Sequence, residues 1–398
     1  MDQHIHLLAE AMLATTVESR EHNFVFPVID VLDKLSSSST PDPLLRWKCL
    51  LALGRVCSTY GILPGRYPWI NNLVVFGDGP SDHGGSADVW RGEVEGCPVA
   101  VKVTRLYSTV PMARTREEIL VWGRLSHPNI LPFLGIDTKT FPLAAVSAWM
   151  QHGNLREYLV HFPSASRLNL LLDASRGLEY MHKLDYIHGD LKSFNVLIDD
   201  NHSARLADFG SSSVVQLPQP DTRTFPTPMG GSAFSVRWLA PELIYPEEFG
   251  SNAFVRSKES DIYALAMLMY EAFSGLLPFE GYRDEGVILQ VMSGARPNRP
   301  QSSLDLGLTD GIWRMVQECW SGSDHRWTIS CIVSCLESSI APTPKMVGSD
   351  ERTELQRPVS SALALRDGSA GASEPESEGI RPNRRKKLFR RLNQLFRI

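Results

Sequence analysis

Several features are missing from this 398-residue chain. It has no run of about 18 apolar residues, so no segment reads as a membrane-spanning helix. The N-terminus shows no basic stretch followed by an apolar core, the pattern of a secretory leader. Cysteine is sparse: Cys49, Cys57, Cys97, Cys319, Cys331 and Cys335 form no Cys-x-x-Cys pair and stand at no zinc spacing from histidine. That excludes a disulfide scaffold or zinc module and points to a reducing, cytoplasmic compartment. Cys331 and Cys335, four apart, are expected on the core face of one helix. Net positive charge is missing too. The formal charge is −5, and the eight Lys/Arg from Arg381 onward have no Asp or Glu among them; subtracting those eight leaves the body at −13. An acidic body argues against a nucleic-acid-binding domain.

What is present is a 43% apolar composition, enough for a large core and two or three structural units. Residues 1–70 read mostly as helix. Leu45, Cys49, Leu53 and Val56 recur on one apolar face, and "SSSSTPDP" divides the region into at least two helical pieces. From about residue 71 the runs "NNLVVFG", "ADVWRGEV" and "CPVAVKVTR" are short, β-branched and separated by Gly and Pro, so they read as strands. "TREEILVWGRL" (115–125) reads as a helix, and beyond residue 150 helical patterns dominate. The fold class is therefore α+β, with a small β-rich lobe, a larger helical lobe and a cleft between them. Residues 341–380, rich in Ser, Pro, Glu and Gly, bury too little apolar surface to offset ordering and are expected to be disordered. Residues 381–398 are basic and amphipathic, with Leu388, Phe389, Leu392, Leu395 and Phe396 on one helical face.

The motifs come in a particular order: a Gly-containing hairpin "DHGGSADVW", then "VAVK", a helix carrying Glu118, "HGDLKSFN", "ADFG" and "APE". Together they resemble a eukaryotic protein kinase catalytic domain over roughly 75–340. "HPNILPFLG" and the later "CW" add similarity to the tyrosine-kinase-like group of serine/threonine kinases. The resemblance implies a bilobal kinase domain at 71–340, with a small lobe at 71–146, a hinge at 147–153 and a large lobe at 154–340. It also implies ATP and Mg²⁺ as cofactors and Ser/Thr-bearing proteins as substrates. Phosphoryl transfer asks a protein mainly for positioning and electrostatic stabilisation.

On that resemblance, Lys102 contacts the α- and β-phosphates and Glu118 holds it; a buried ammonium needs such a partner. Glu117 competes for that role, and spacing from His127 favours Glu118. Asp190 is the catalytic base, although alone it reads first as a turn residue. Lys192 sits near the γ-phosphate, as in serine/threonine rather than tyrosine kinases. Asn195 and Asp208 supply oxygen ligands to Mg²⁺. Val89, Ala100 and Leu197 sandwich the adenine, backbone groups of Ala148 to Met150 bond its edge, and Ser147 guards the back pocket. Gly84, Gly85 and Ser86 provide the small residues that approach phosphate. Glu242 and Arg326 match a structural ion pair, and Asp261 the residue that holds the catalytic-loop backbone.

The chain also departs from the family. Asp82 and Ala87 replace the first and third glycines of the phosphate loop, which predicts weakened ATP affinity. Gly189 replaces the Arg of His-Arg-Asp, which predicts that activation-loop phosphorylation is not an obligatory switch. Eight Ser/Thr nevertheless lie between Gly210 and Ala240. The alternative to an active kinase is a pseudokinase scaffold with weak or no transfer.

The terminal segment 384–398 has three candidate partners: an anionic membrane surface, an importer reading "RRKK", or a protein groove. Two Phe on the apolar face favour the membrane, where clustered Lys/Arg contribute about 1 kcal/mol each. Truncation after Gly379 is expected to abolish co-sedimentation with anionic liposomes, and unchanged sedimentation would reject the membrane assignment.

Overall fold

A computed structural model describes residues 25–340, apart from 38–41, 84–86, 106–111, 215–234, 251–253 and 302–303. The phosphate-loop residues Gly84, Gly85 and Ser86, the acidic–polar linker and the basic tail lie outside the described residues.

The described residues begin with two helices, α1 (Val25–Leu35) and α2 (Pro43–Tyr60). Asp42 caps α2 by accepting the Leu44 N–H at 2.9 Å, Pro43 occupies the first turn, and Gly61 (φ 71°) ends it in the left-handed conformation that a helix stop favours. Leu45, Cys49, Leu53 and Val56 are all buried, as their spacing predicts.

The small lobe is an antiparallel sheet ordered β1 (Leu73–Val75), β3 (Ala87–Val94), β4 (Cys97–Thr104), β6 (Ala144–Ala148), β5 (Phe133–Asp137), with β2 (Asp82–His83) also on β3. Glu95 (φ 52°) and Gly96 (φ 82°) join β3 to β4 through a two-residue turn whose positive φ values suit the twist of a hairpin. Alternation along β4 sorts its side chains by face. Val99 and Val101 are fully buried with Ala144 and Val146, whereas Ala100 and Lys102 point to the opposite face, toward the large lobe.

Helix α3 (Met112–Trp122) starts three residues before the sequence pattern suggests and stops before Gly123. The Tyr67 ring fills the space there: a Cβ on Gly123 would lie 2.2 Å from it. The large lobe is built around α7 (Lys258–Ser274), buried on every side from Ser260 to Met269. Ser257 and Ser260 cap it reciprocally, each hydroxyl accepting the other's backbone N–H. Around α7 lie α4 (Leu155–His161), α5 (Arg167–Lys183), α6 (Pro241–Ile244), α8 (Asp284–Met292), α9 (Asp310–Cys319) and α10 (Ile329–Ile340). Two short ribbons, β7 (Tyr186–Ile187) with β10 (Ser213–Val214) and β8 (Val196–Ile198) with β9 (Ala204–Leu206), floor the cleft. Arg326 grips Glu242 with both terminal nitrogens, at 2.5 and 2.9 Å. One expectation needs correction. Helix α10 forms, but Ile329, Ile332, Val333 and Leu336 take its core face; Cys331 is exposed and Cys335 only partly covered.

The N-terminal helices share one hydrophobic core with α3 and the large lobe. Arg124, just past α3, is 5% exposed and bonds Asp33 at 2.5 Å, the Ser36 hydroxyl at 2.8 Å and the Tyr67 hydroxyl at 2.7 Å. Further along the same face, Arg46 of α2 and Lys258 of α7 meet at Asp185, at 3.4 and 2.8 Å. Tyr67 is 2% exposed and closes on Gly123 and Phe133. Tyr67→Ala is expected to cost about 3–5 kcal/mol, the range for truncating a buried aromatic ring. Tyr67→Phe is expected to cost about 1–2 kcal/mol, since Arg124 keeps its bond to the Leu120 carbonyl. Chemical denaturation checks both.

Candidate active site

The site forms where β4, α3 and the start of the 207–214 segment converge on one ammonium. Lys102 Nζ lies 2.6 Å from Glu118 Oε1 and 2.7 Å from Asp208 Oδ1. Burial alone would depress the Lys102 pKa, but Asp208 and then Glu118 outweigh it and hold it above the ordinary lysine range. The two carboxyls divide unequally. Lys102 holds Asp208 down at about 2, whereas burial, seconded by Asp208, pushes Glu118 up against the pull of Lys102. Of the two adjacent glutamates, Glu118 is the one that meets Lys102. Glu117 is exposed and faces Arg114 and Arg55 instead. A Cβ on Gly210 would lie 3.3 Å from Glu118 Oε2, a tight contact that the carboxyl would have to yield to by a few tenths of an ångström.

The second half of the site is the loop His188–Asn195. Asp261, in the first turn of α7, accepts the N–H groups of His188 and Gly189 at 2.8 and 2.9 Å and pairs with His182 at 3.0 Å. His188 is fully buried. Its Nε2–H donates to the Ala207 carbonyl at 3.1 Å and its Nδ1 accepts the Asp190 N–H at 3.3 Å, so the ring is neutral; burial pulls its pKa down accordingly. Asp190 Oδ2 receives Lys192 Nζ at 2.7 Å and Asn195 Nδ2 at 3.0 Å. Lys192 also donates to the Ser235 hydroxyl at 3.0 Å. The Asn195 amide nitrogen is further fixed by the Asp190 carbonyl at 2.7 Å, which leaves the amide oxygen as the atom suited to a metal. Asp208 (φ 63°) adopts a left-handed conformation uncommon for a residue with a side chain, and its carboxyl is 44% exposed toward the cleft.

The register brings the remaining predicted residues together. Val89 lies opposite Lys102 on the neighbouring strand, and Ala100 opposite Ser147. Val89, Ala100 and Leu197 are partly exposed apolar side chains, the kind of wall that a flat apolar ring covers. Ala148 closes β6, Met150 follows in the connection to the large lobe, and Asn154 bridges to Leu197. The donors suit a nucleotide with a hard cation: an ammonium at the base, one carboxylate and one amide oxygen, apolar walls. Two protein oxygens suffice for Mg²⁺, which takes the rest of its shell from phosphate and water.

Three groups that the motifs did not identify support the site. An aromatic ladder runs from Tyr67 through Phe133, Trp122 and Phe209 to His188, with ring centroids 5.9, 5.3, 5.9 and 5.6 Å apart. Glu271 of α7 accepts the Ser193 N–H and hydroxyl at 3.1 and 2.8 Å and Trp238 Nε1 at 2.8 Å, tying the catalytic loop to the segment after the activation loop. A lone carboxylate in the apolar run "ALAMLMYEAF" was its visible signal. The third, Arg256, has no signal in the sequence; its side chain packs on Gly189 of the loop.

The family model described as protein tyrosine and serine/threonine kinase matches residues 82–336. Among similar proteins, the serine/threonine/tyrosine-protein kinase HT1 of Arabidopsis thaliana is 30% identical over 267 residues, 64% of this chain and 63% of that protein. The cytoplasmic tyrosine-protein kinase BMX of Mus musculus is 28% identical over 62% of this chain and 36% of its own length. Serine/threonine-protein kinase 12 of Arabidopsis thaliana is 29% identical over 63% of this chain and 52% of its own. The chain thus spans between about a third and just under two thirds of these relatives.

Glu271 also sets a pH dependence. Burial raises its pKa from 4.5 to about 7, against the pull of its hydrogen bonds. The native state therefore holds an extra proton between those values, and stability falls as pH rises through that window, by on the order of 3 kcal/mol. Glu271→Gln, which cannot ionise, is expected to flatten the fall in melting temperature between pH 5 and 7.5; a parallel pair of curves would show that Glu271 is not its source.

Proposed function

Because the chain belongs to the protein tyrosine and serine/threonine kinase family, we propose that it transfers the γ-phosphoryl group of ATP to Ser/Thr hydroxyls of proteins in intracellular signalling. The observation that carries this reading is Lys192, bonded at once to Asp190 and to Ser235, which supports a cation beside the proposed base. Lys102 positions the α- and β-phosphates, and Glu118 holds Lys102. Asp190, with Oδ2 engaged by Lys192 and Asn195, receives the hydroxyl proton on its other oxygen as the new O–P bond forms and the bond to the β-phosphate oxygen breaks. Lys192 offsets charge on the transferring group. Asn195 and Asp208 would hold Mg²⁺, which when bound neutralises phosphate charge. Val89, Ala100 and Leu197 exclude water from the base, and Ala148 and Met150 offer backbone groups to its edge.

The alternative, a scaffold with weak transfer, rests on Asp82 and Ala87 in the phosphate loop. The presence together of Lys102, Glu118, Asp190, Asn195 and Asp208 favours transfer, since a scaffold need not keep all five. The basic tail fits recruitment to an anionic membrane surface, and the N-terminal helices fit a regulatory extension of the kinase domain.

The test is ³²P transfer from Mg-ATP to a generic basic protein and to the chain itself, with Asp208→Asn as control. Transfer that falls at least a hundredfold in the variant is the expected result. Phosphoamino-acid analysis separates Ser/Thr from Tyr, and phosphotyrosine alone would overturn the specificity proposed here.

A further inference from the structure

Gly189 stands where the family pattern places an arginine, and the structure explains why no other residue fits. Its φ is +78°, and a Cβ would lie 2.6 Å from Arg256 Cδ, 3.0 Å from Arg256 Nε and 2.6 Å from the Ser211 carbonyl oxygen. An arginine therefore does lie against the catalytic loop at this point, supplied by a residue 67 positions further along the chain. Arg256 immediately precedes Ser257, the cap of α7, so its backbone is anchored. Its guanidinium lies over the Phe254 ring, 5.2 Å from the centroid. Its Nε is buried with no hydrogen-bond partner among the described residues. Asp190 follows Gly189 directly in the chain, so Arg256 packs one residue from that carboxylate; burial pulls the guanidinium's pKa down, and Asp190 and Asp261 oppose the pull.

The start of α7 thus holds the loop twice. Asp261 takes the two backbone N–H groups of His188 and Gly189, and Arg256 closes the space that the missing side chain leaves. A glycine beside a catalytic carboxylate is free to move unless something packs on it. Phosphoryl transfer depends on the placement of that carboxylate, and displacements of about 1 Å cost up to a hundredfold in rate.

Resting on the kinase reading, we propose that Arg256 is a positioning residue for Asp190, and that its guanidinium, entering from the start of α7, replaces the arginine absent at position 189.

The experiment compares Arg256→Gln and Arg256→Lys with the wild-type full chain. It measures kcat, KM for ATP, affinity for a non-hydrolysable ATP analogue with Mg²⁺, and melting temperature. The wild type must first show transfer that Asp208→Asn abolishes; a silent wild type sinks the kinase reading and this proposal with it. Arg256→Gln keeps most of the stem and loses the charge. The expected result is a fall in kcat of about tenfold to a hundredfold, with KM, analogue affinity and melting temperature near wild type. Arg256→Lys is expected to recover most of the loss. Unchanged kcat in Arg256→Gln overturns the proposal. So does a fall accompanied by equal losses of melting temperature or analogue affinity, or a Lys variant no better than the Gln one.

Discussion

The structure depends on one ammonium ion with two carboxylates. Lys102 reaches Glu118 and Asp208 from a strand whose other face is fully buried, so it has nowhere else to place its charge. An uncompensated buried charge costs about 3–5 kcal/mol, which exceeds the strength of most single contacts. The strand, the helix and the Asp208 segment are therefore locked to one another electrostatically. The aromatic ladder from Phe133 to His188 runs behind this cluster and carries the same alignment into the large lobe through packing.

The helix that presents Glu118 is held from both sides. The sheet contributes Lys102. The N-terminal helices contribute α2 and, beyond it, Tyr67, whose ring closes on Gly123 and continues the ladder. Arg124 brings Asp33, Ser36 and Tyr67 to the end of that helix, and Arg46 reaches Asp185 in the large lobe. The first 40 or so described residues in this way share a hydrophobic core with the helix that carries Glu118 and with the large lobe.

In the large lobe α7 plays the corresponding part. Asp261 fixes the loop backbone, Glu271 fixes Ser193 and Trp238, and the residue before its cap, Arg256, fills the space beside Gly189. Three side chains from one buried helix and its entrance set the catalytic loop. That is how Asp190 acquires a fixed position although its neighbour is a glycine.

Local chemistry alone determined a good deal. The four-and-three spacing of Leu45 to Val56 made a helix with one buried face, the alternation in Cys97–Thr104 separated Val99 and Val101 from Ala100 and Lys102, and motif order singled out Asp190, Asn195, Asp208 and Glu118 as candidates. These depend on residues near one another in the chain or on a pattern that chemistry constrains tightly. Tertiary structure alone decided the rest. It turned Cys331 outward because Ile332 and Val333 were the better core residues on the same helix. It set Tyr67 against Gly123, Glu271 under Ser193, and Arg256 in the place Gly189 vacates. Each of these pairs joins residues more than fifty positions apart, and neither member carries a periodicity or spacing that points to the other. Only the folded chain brings a side chain to the point where another residue lacks one.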